Sequence, residues 1–166
     1  LYRAAPTAGR AERVAIASRL ARDGETFGPA GTLLAGRIYA EIGRHEEMIR
    51  VYDGVVETAH ARLAAEMTFS VADRMSRVAD VESARMRLLA VSAGDPNGFG
   101  PRAELRLAEM AAEDGLGDEC IRRARAVLGR ESLNRNDVLR TLGRGYELVR
   151  DHRRAAECFT GRTPDD

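Results

Sequence analysis

Histidine and cysteine are the residue types in this sequence best suited to catalysis or metal binding, and both are rare. The histidines are His45, His60 and His152, and the cysteines are Cys120 and Cys158. A zinc site needs Cys-x-x-Cys or a similarly short Cys/His spacing, and no such spacing occurs here. We therefore expect no metal-binding residues, and we assign structural roles to these five side chains.

Paired carboxylates are a second candidate chemistry, because two neighbouring acids can act as general acid and base. The pairs Glu46 with Glu47 and Glu113 with Asp114 fall at predicted helix ends in a chain that is 31% charged, so we interpret them as solvated surface. The glycine-rich stretch "GDPNGFG" follows no predicted strand, as a phosphate-binding loop would. The sequence predicts no catalytic residue, no cofactor and no enzyme activity within the chain.

The composition favours a helical fold and a protein partner. Of the 166 residues, 44% are apolar, only 5% are aromatic and none is Trp, which suits closely packed helices better than a β-sandwich. All 26 basic residues are Arg, and 26 acidic residues balance them, whereas nucleic-acid-binding domains usually carry a basic excess. No apolar run approaches the ~18 residues that a membrane span needs. We expect neither nucleic-acid binding nor membrane insertion.

Five positions recur in phase along the chain, at steps of 36, 36 and 35 residues. Small residues stay small and bulky residues mostly stay apolar, as two antiparallel helices that cross closely require. One such hairpin cannot bury its apolar face alone, so we expect the copies to stack on one another. The five tracks are Gly36, Ala72, Ala108 and Gly143; Tyr39, Met75, Ala111 and Tyr146; Gly43, Ala79, Gly115 and Arg150; Met48, Ala84, Cys120 and Ala155; and Tyr52, Leu88, Ala124 and Phe159.

The repeated pattern resembles the tetratricopeptide repeat, a helix-turn-helix unit of about 34 residues. In the first copy its small residue, aromatic, turn glycine and second aromatic are Gly36, Tyr39, Gly43 and Tyr52, while Met48 replaces the usual Ala. The resemblance implies an all-α fold, a right-handed superhelical array of antiparallel helix hairpins. Independently of the resemblance, two antiparallel helices can approach closely only where side chains are small, and we expect such crossing points at Gly36 with Met48, or at Ala72 with Ala84.

The array is predicted to be a single domain of about four and a half repeats. Pro101 suits the first turn of a helix, and Asn136 is a suitable N-cap. The repeats are predicted as a half repeat at 1–27 and full repeats at 29–62, 65–98, 101–134 and 136–166. Helices are predicted near 10–23, 29–42, 45–58, 63–77, 81–93, 101–114, 117–129, 136–149 and 152–160.

The resemblance further implies a concave binding surface, lined mainly by the first helix of each hairpin. Five Arg and five acidic residues balance one another there, and the partner we expect is a protein or peptide. The set that grips a C-terminal carboxylate in chaperone-binding members is not matched, since no Asn stands at the corresponding positions. The predicted partner-binding residues are Arg37, Glu41, Phe69, Asp73, Arg77, Arg102, Glu109, Glu113, Arg140, Arg144 and Glu147.

Two alternative functions remain open at this point. Pentatricopeptide repeats are similar hairpins with a period near 35, which makes an RNA-binding helical repeat the first alternative. The second is a helical appendage of an enzyme or regulator whose active site lies outside these residues. A non-catalytic protein-binding scaffold is the interpretation that the balanced charge favours.

The terminal repeats of such an array need a polar cap, because only one of their sides is covered by a neighbouring repeat. No capping helix follows "AAECFTGRTPDD". We expect the apolar face around Leu142, Tyr146 and Phe159 to lie partly open. The remainder of a longer chain or a second molecule would then cover it, so self-association through the uncapped ends is predicted.

Overall fold

The chain is all-α, as predicted from its composition and periodicity. A computed structural model describes residues 9–57, 59–76 and 80–164, and the chain is 76% helical. Within the described residues no strand occurs, and nine helices follow one another. They are α1 (Arg10–Arg22), α2 (Gly24–Glu41), α3 (His45–Asp53), α4 (Ala61–Met75), α5 (Val81–Gly94), α6 (Gly100–Glu113), α7 (Gly117–Val127), α8 (Arg135–Leu148) and α9 (His152–Phe159).

Two helices differ from their predicted bounds by more than two residues, for reasons of backbone chemistry. α2 starts at Gly24 and bends at Gly28, whose φ of 62° is left-handed, so that Pro29 opens the regular part of the helix as a first-turn proline can. α3 ends at Asp53 instead of near residue 58. Gly54, Val55 and Val56 follow, and glycine and valine have low helix propensities.

Aspartate and asparagine side chains cap three of the helices. Asp80 Oδ1 accepts from Ser83 N at 3.2 Å at the start of α5, and Asp151 Oδ1 accepts from Arg154 N at 3.0 Å at the start of α9. The cap of α8 is Asn134, whose Oδ1 accepts from the backbone of Asn136 at 2.9 Å. The predicted N-cap, Asn136, is thus inside the helix, because an asparagine two residues earlier takes that role.

The turn track adopts one backbone conformation wherever it is described. Gly43, Gly115 and Arg150 have φ of 81°, 78° and 65°, and Ala79 lies outside the described residues. In each turn the following N–H reaches back to the carbonyl five positions earlier, a motif that satisfies the orphan carbonyls at a helix end. These bonds join Arg44 to Tyr39 (2.8 Å), Leu116 to Ala111 (2.8 Å) and Asp151 to Tyr146 (2.9 Å).

The helices form two compact units, Leu1–Arg74 and Met75–Asp166. In the first, α1 packs on α2 and α2 packs on α3. In the second, α5 to α9 pack each on the next, and α6 also contacts α8. Packing of consecutive neighbours is compatible with a helical repeat. One cluster of buried core residues in the second unit comprises Ala108, Ala124, Leu139, Leu142, Tyr146, Ala155 and Cys158.

The two glycines of the first track are covered by aromatic rings. A Cβ built on Gly36 would lie 2.1 Å from Cε1 of Tyr52, and one on Gly143 would lie 2.7 Å from Cε1 of Phe159. The atoms nearest to Gly36 therefore belong to Tyr52 and not to Met48, the residue with which we paired it. Tyr52 can lie there because its hydroxyl donates to the carbonyl of Leu33 at 3.0 Å, which satisfies the buried polar group.

The C-terminal face is less open than predicted. Leu142 is fully buried and Tyr146 is only 4% exposed, whereas Phe159 remains 48% exposed. Two guanidinium groups lie over the Tyr146 ring, with Arg125 at 6.0 Å and Arg154 at 5.9 Å from its centroid. These cation–π contacts and the bond from Arg125 Nη2 to the Tyr146 hydroxyl, 2.7 Å, explain how the tyrosine is buried.

The residues after α9 fold back toward α8. Arg135 Nη2 donates to Thr163 Oγ1 at 2.8 Å, and Pro164 is buried. Gly161, with φ of 82°, makes the reversal possible because only glycine adopts this conformation without strain. Among the described helices, none combines the length and apolar character that a membrane span requires.

Candidate protein-binding surface

The predicted partner-binding residues lie on four different helices. α2 carries Arg37 and Glu41, α4 carries Phe69 and Asp73, α6 carries Arg102, Glu109 and Glu113, and α8 carries Arg140, Arg144 and Glu147. Arg77 lies outside the described residues.

In the first unit, both predicted charged residues of α2 are engaged within the chain. Arg37 Nε donates to Glu66 Oε1 of α4 at 2.9 Å, and Glu41 forms an ion pair with Arg13 of α1. Phe69 is half-buried. An existing ion pair must be broken before either member can bind a partner. Arg37 and Glu41 would therefore contribute less binding energy than unpaired charges would.

In the second unit, three predicted residues come together in one pocket between α6 and α8. The pocket has a volume of about 370 Å³. Glu113 of α6 and Arg144 and Glu147 of α8 line it, together with the apolar Ala112 and Leu148. We call it the α6/α8 pocket. It contains residues from two successive predicted repeats, 101–134 and 136–166.

A buried arginine that the sequence prediction missed supports one wall of this pocket. Arg106 is 6% exposed, and its Nη1 donates to Glu109 at 2.9 Å and to Glu113 at 3.2 Å. Its Nε donates to Ser76 Oγ at 3.1 Å. The available signal was the spacing, because residues 106, 109 and 113 share one face of a helix.

Burial and its acidic neighbours act on the pKa of Arg106 in opposite directions. Burial alone lowers this pKa, whereas the hydrogen bonds with Glu109 and Glu113 and their negative charges raise it, and the net direction is upward. Arg106 therefore stays charged and holds the carboxylate of Glu113 at the pocket wall. It is a positioning residue for this wall.

Arg144 and Glu147 are the available charges of the pocket. Both side chains are exposed, and neither forms an ion pair or side-chain hydrogen bond with any other residue that the structure describes. They lie three residues apart on α8, within one turn of each other. Because neither is paired within the described part of the chain, this guanidinium and this carboxylate can both bind a group that enters the pocket.

Three aliphatic side chains extend the pocket into an exposed apolar surface. Leu116 in the α6–α7 turn is 52% exposed, Leu148 is 43% exposed and Val149 is 40% exposed. A Cβ on Gly117 would lie 2.8 Å from Val149 and 2.9 Å from Leu148, so this turn packs directly against the end of α8. We call Leu116, Leu148 and Val149 the apolar ledge. The ledge was not predicted from the sequence, because leucine and valine at helix ends are usually core residues.

Arg102 and Arg140 are not brought to the α6/α8 pocket. The Arg102 guanidinium lies 5.3 Å from the centroid of the Phe99 ring, at the opposite end of α6. Arg140 bonds Asp137 and lines a separate pocket of about 510 Å³ beside the end of α9, together with Phe159. The predicted set therefore divides between different surfaces.

The residues first considered for catalysis are placed in packing roles. Cys120 is buried, its thiol donates to the Thr141 carbonyl at 3.3 Å, and burial raises its pKa to about 11. Burial also raises the pKa of Cys158. Burial and the charge of Arg74 lower the pKa of His45. In the described part of the chain, no cluster of three His, Cys, Asp or Glu side chains could hold a metal ion.

Comparisons with known proteins assign the chain to no family, so it is classified by its fold. No model of a known protein family matches the chain, and no curated protein matches its sequence. The class defined by the structure is an all-α chain whose helices pack against consecutive neighbours.

Proposed function

We propose that this chain is a non-catalytic scaffold of tetratricopeptide-like hairpins that binds a peptide or helix of a partner protein at the α6/α8 pocket. The observation that carries the proposal is the pair Arg144 and Glu147, two charged side chains without ion-pair partners among the described residues, beside the exposed Leu148. Because Leu148 is 43% exposed, covering its remaining surface contributes about 1 kcal/mol, and the two charges supply orientation.

The repeat architecture is supported by features that recur at the repeat spacing. Three turns share a left-handed residue and the same backbone hydrogen bond. Two glycine–aromatic contacts, Gly36 with Tyr52 and Gly143 with Phe159, recur at equal separation. A superhelical array of antiparallel hairpins accounts for both, because every copy then repeats one local geometry.

The charges around the pocket favour a protein over RNA. Glu109, Glu113 and Glu147 are three carboxylates against the two guanidinium groups of Arg106 and Arg144. A phosphate backbone is attracted by a basic stripe, and this surface carries an acidic excess instead.

Site-specific photo-cross-linking tests the proposal. A photoreactive amino acid at Glu147 should yield a discrete adduct with one protein in an extract of the source cells, whereas the same group at the exposed Ala126 of α7 should not. The partner is then purified, and Leu148→Asp should weaken its binding at least tenfold, while Met86→Asp, on an exposed residue of α5, should not.

Two results would contradict this function. Equal cross-linking from Glu147 and Ala126 would show that the pocket is not the binding site. Tight binding of labelled single-stranded RNA, with a steep dependence on salt, would favour the RNA-binding alternative instead.

A further inference from the structure

We infer that the segment bound at this surface carries an aliphatic side chain with a lysine or arginine close beside it. The aliphatic group lies on the apolar ledge and the cation lies between Glu113 and Glu147. This inference rests on the proposed function and specifies the chemistry of the partner.

The apolar ledge is continuous with the α6/α8 pocket, which is why we expect an aliphatic group in the partner. Leu148 belongs both to the α6/α8 pocket and to the ledge, so an apolar group seated on the ledge reaches the pocket without crossing a polar rim. Leu116 directly precedes Gly117, whose backbone is in close contact with Leu148 and Val149. The ledge is thus held rigidly, and a partner aliphatic group orders little of the protein when it binds.

The positions of Glu113 and Glu147 are the reason to expect a lysine or arginine in the partner. Glu113 belongs to α6 and Glu147 to α8, so the two carboxylates approach the pocket from opposite walls. Arg106 already neutralises part of the α6 wall through Glu109 and Glu113. Glu147 has no such cation among the described residues, and the excess of one carboxylate over the guanidinium groups attracts a positive side chain.

Arg144 sets the direction of the bound segment. It lies one helical turn before Leu148 and repels a cation from that end of the pocket. A carbonyl or carboxylate of the partner is favoured beside Arg144, and the basic residue is favoured beside Glu147. A partner segment with only acidic side chains would place them against Glu113 and Glu147 and bind poorly.

Selection from a library of random peptides displayed on phage tests the inference. The library is selected in parallel on the parent chain and on Leu148→Asp, whose circular dichroism spectrum and thermal melt should match the parent. Peptides enriched only on the parent should contain an aliphatic residue next to Lys or Arg. Pocket-dependent peptides without a basic residue would overturn this inference and leave the proposed function standing. Failure to enrich any peptide that distinguishes the two chains would contradict both.

Charge variants measure the cationic contact directly. Glu147→Gln should weaken a selected basic peptide about two- to fivefold, the range for an exposed ion pair, whereas Glu131→Gln, in the exposed loop before α8, should leave binding unchanged. Glu147→Lys should weaken that peptide further and should bind a version with Lys replaced by Glu better than the parent does. Equal affinities across these variants would overturn the assignment of Glu147.

Discussion

Gly36 lies directly against the ring of Tyr52, at a distance that leaves no room for a side chain. A Cβ on residue 36 would come within 2.1 Å of Cε1 and 2.2 Å of Cζ of that ring. Tyr52 is 1% exposed and its hydroxyl is bound to the Leu33 carbonyl, so the ring cannot move aside. The glycine therefore sets how closely α2 and α3 approach.

Gly36→Leu should destabilise the fold by about 1–3 kcal/mol, since overpacking a filled core displaces side chains and backbone. Gly94→Ala is the matched control, because a Cβ there meets no atom within 4 Å and alanine favours helix. Urea denaturation measures both changes. A midpoint for Gly36→Leu equal to that of the parent would show that Tyr52 is not confining this position.

Ala84→Leu should destabilise by a similar amount, about 1–3 kcal/mol, because Ala84 is fully buried in α5. Ala90→Leu on the same helix is the control, since residue 90 is exposed and can accept a larger side chain. Thermal melts of the two variants should differ clearly. Matching melts would mean that residue 84 does not face the core.

The helices and the turns could be predicted from the sequence because they depend on local chemistry. The turn glycines at 43 and 115 and the first-turn Pro101 act over a few residues, whereas the predicted N-cap, Asn136, was wrong because Asn134 takes that role. Arg150 follows the same track although it is not a glycine. Periodicity therefore predicted its place where residue type did not.

The candidate surface could be predicted only in part, because it depends on which side chains meet. Position in the repeat brought Glu113, Arg144 and Glu147 to one pocket. It did not reveal that Arg106 would turn inward to bind Glu109, or that Glu41 would pair with Arg13 of α1. A single sequence does not specify such partners, since long charged side chains reach several neighbours.

Substitutions at the turn residues Gly115 and Arg150 should change the stability of the fold in opposite directions. Gly115→Ala should destabilise by about 1 kcal/mol, because a left-handed backbone costs a residue with a Cβ roughly that amount. Arg150→Gly should stabilise by a comparable amount, because Arg150 already has φ of 65°. Chemical denaturation provides both values. A loss of stability in Arg150→Gly would indicate that its side chain contributes more than the backbone costs.

Glu119 should make stability depend on pH in acid. Its hydrogen bond with Arg122, and then that with Arg123, lower the pKa of Glu119 from 4.5 to about 2. The folded pKa lies below the unfolded one, so this contribution is present above 4.5 and is lost as the pH falls toward 2. In urea titrations, parent and Glu119→Gln should therefore differ at neutral pH and converge in acid. A pH-independent difference would contradict the assigned ionisation.

Cys120 and Cys158 should react slowly with thiol reagents while the chain is folded. Both are buried, and burial raises the pKa of Cys120 to about 11, so very little thiolate forms near neutral pH. Labelling with an aromatic disulfide reagent should be slow in buffer and rapid in denaturant. Rapid labelling of two thiols in the native protein would place them at the surface.

Packing between consecutive helices has a kinetic consequence. In the second unit α6 to α9 each pack on the helix before, and α8 also packs on α6. Contacts of such short sequence separation close small loops, which is the condition for rapid folding. When each of these helices emerges from the ribosome, the earlier helices on which it packs have already emerged. The second unit can therefore acquire its structure in the order of its synthesis, one helix at a time.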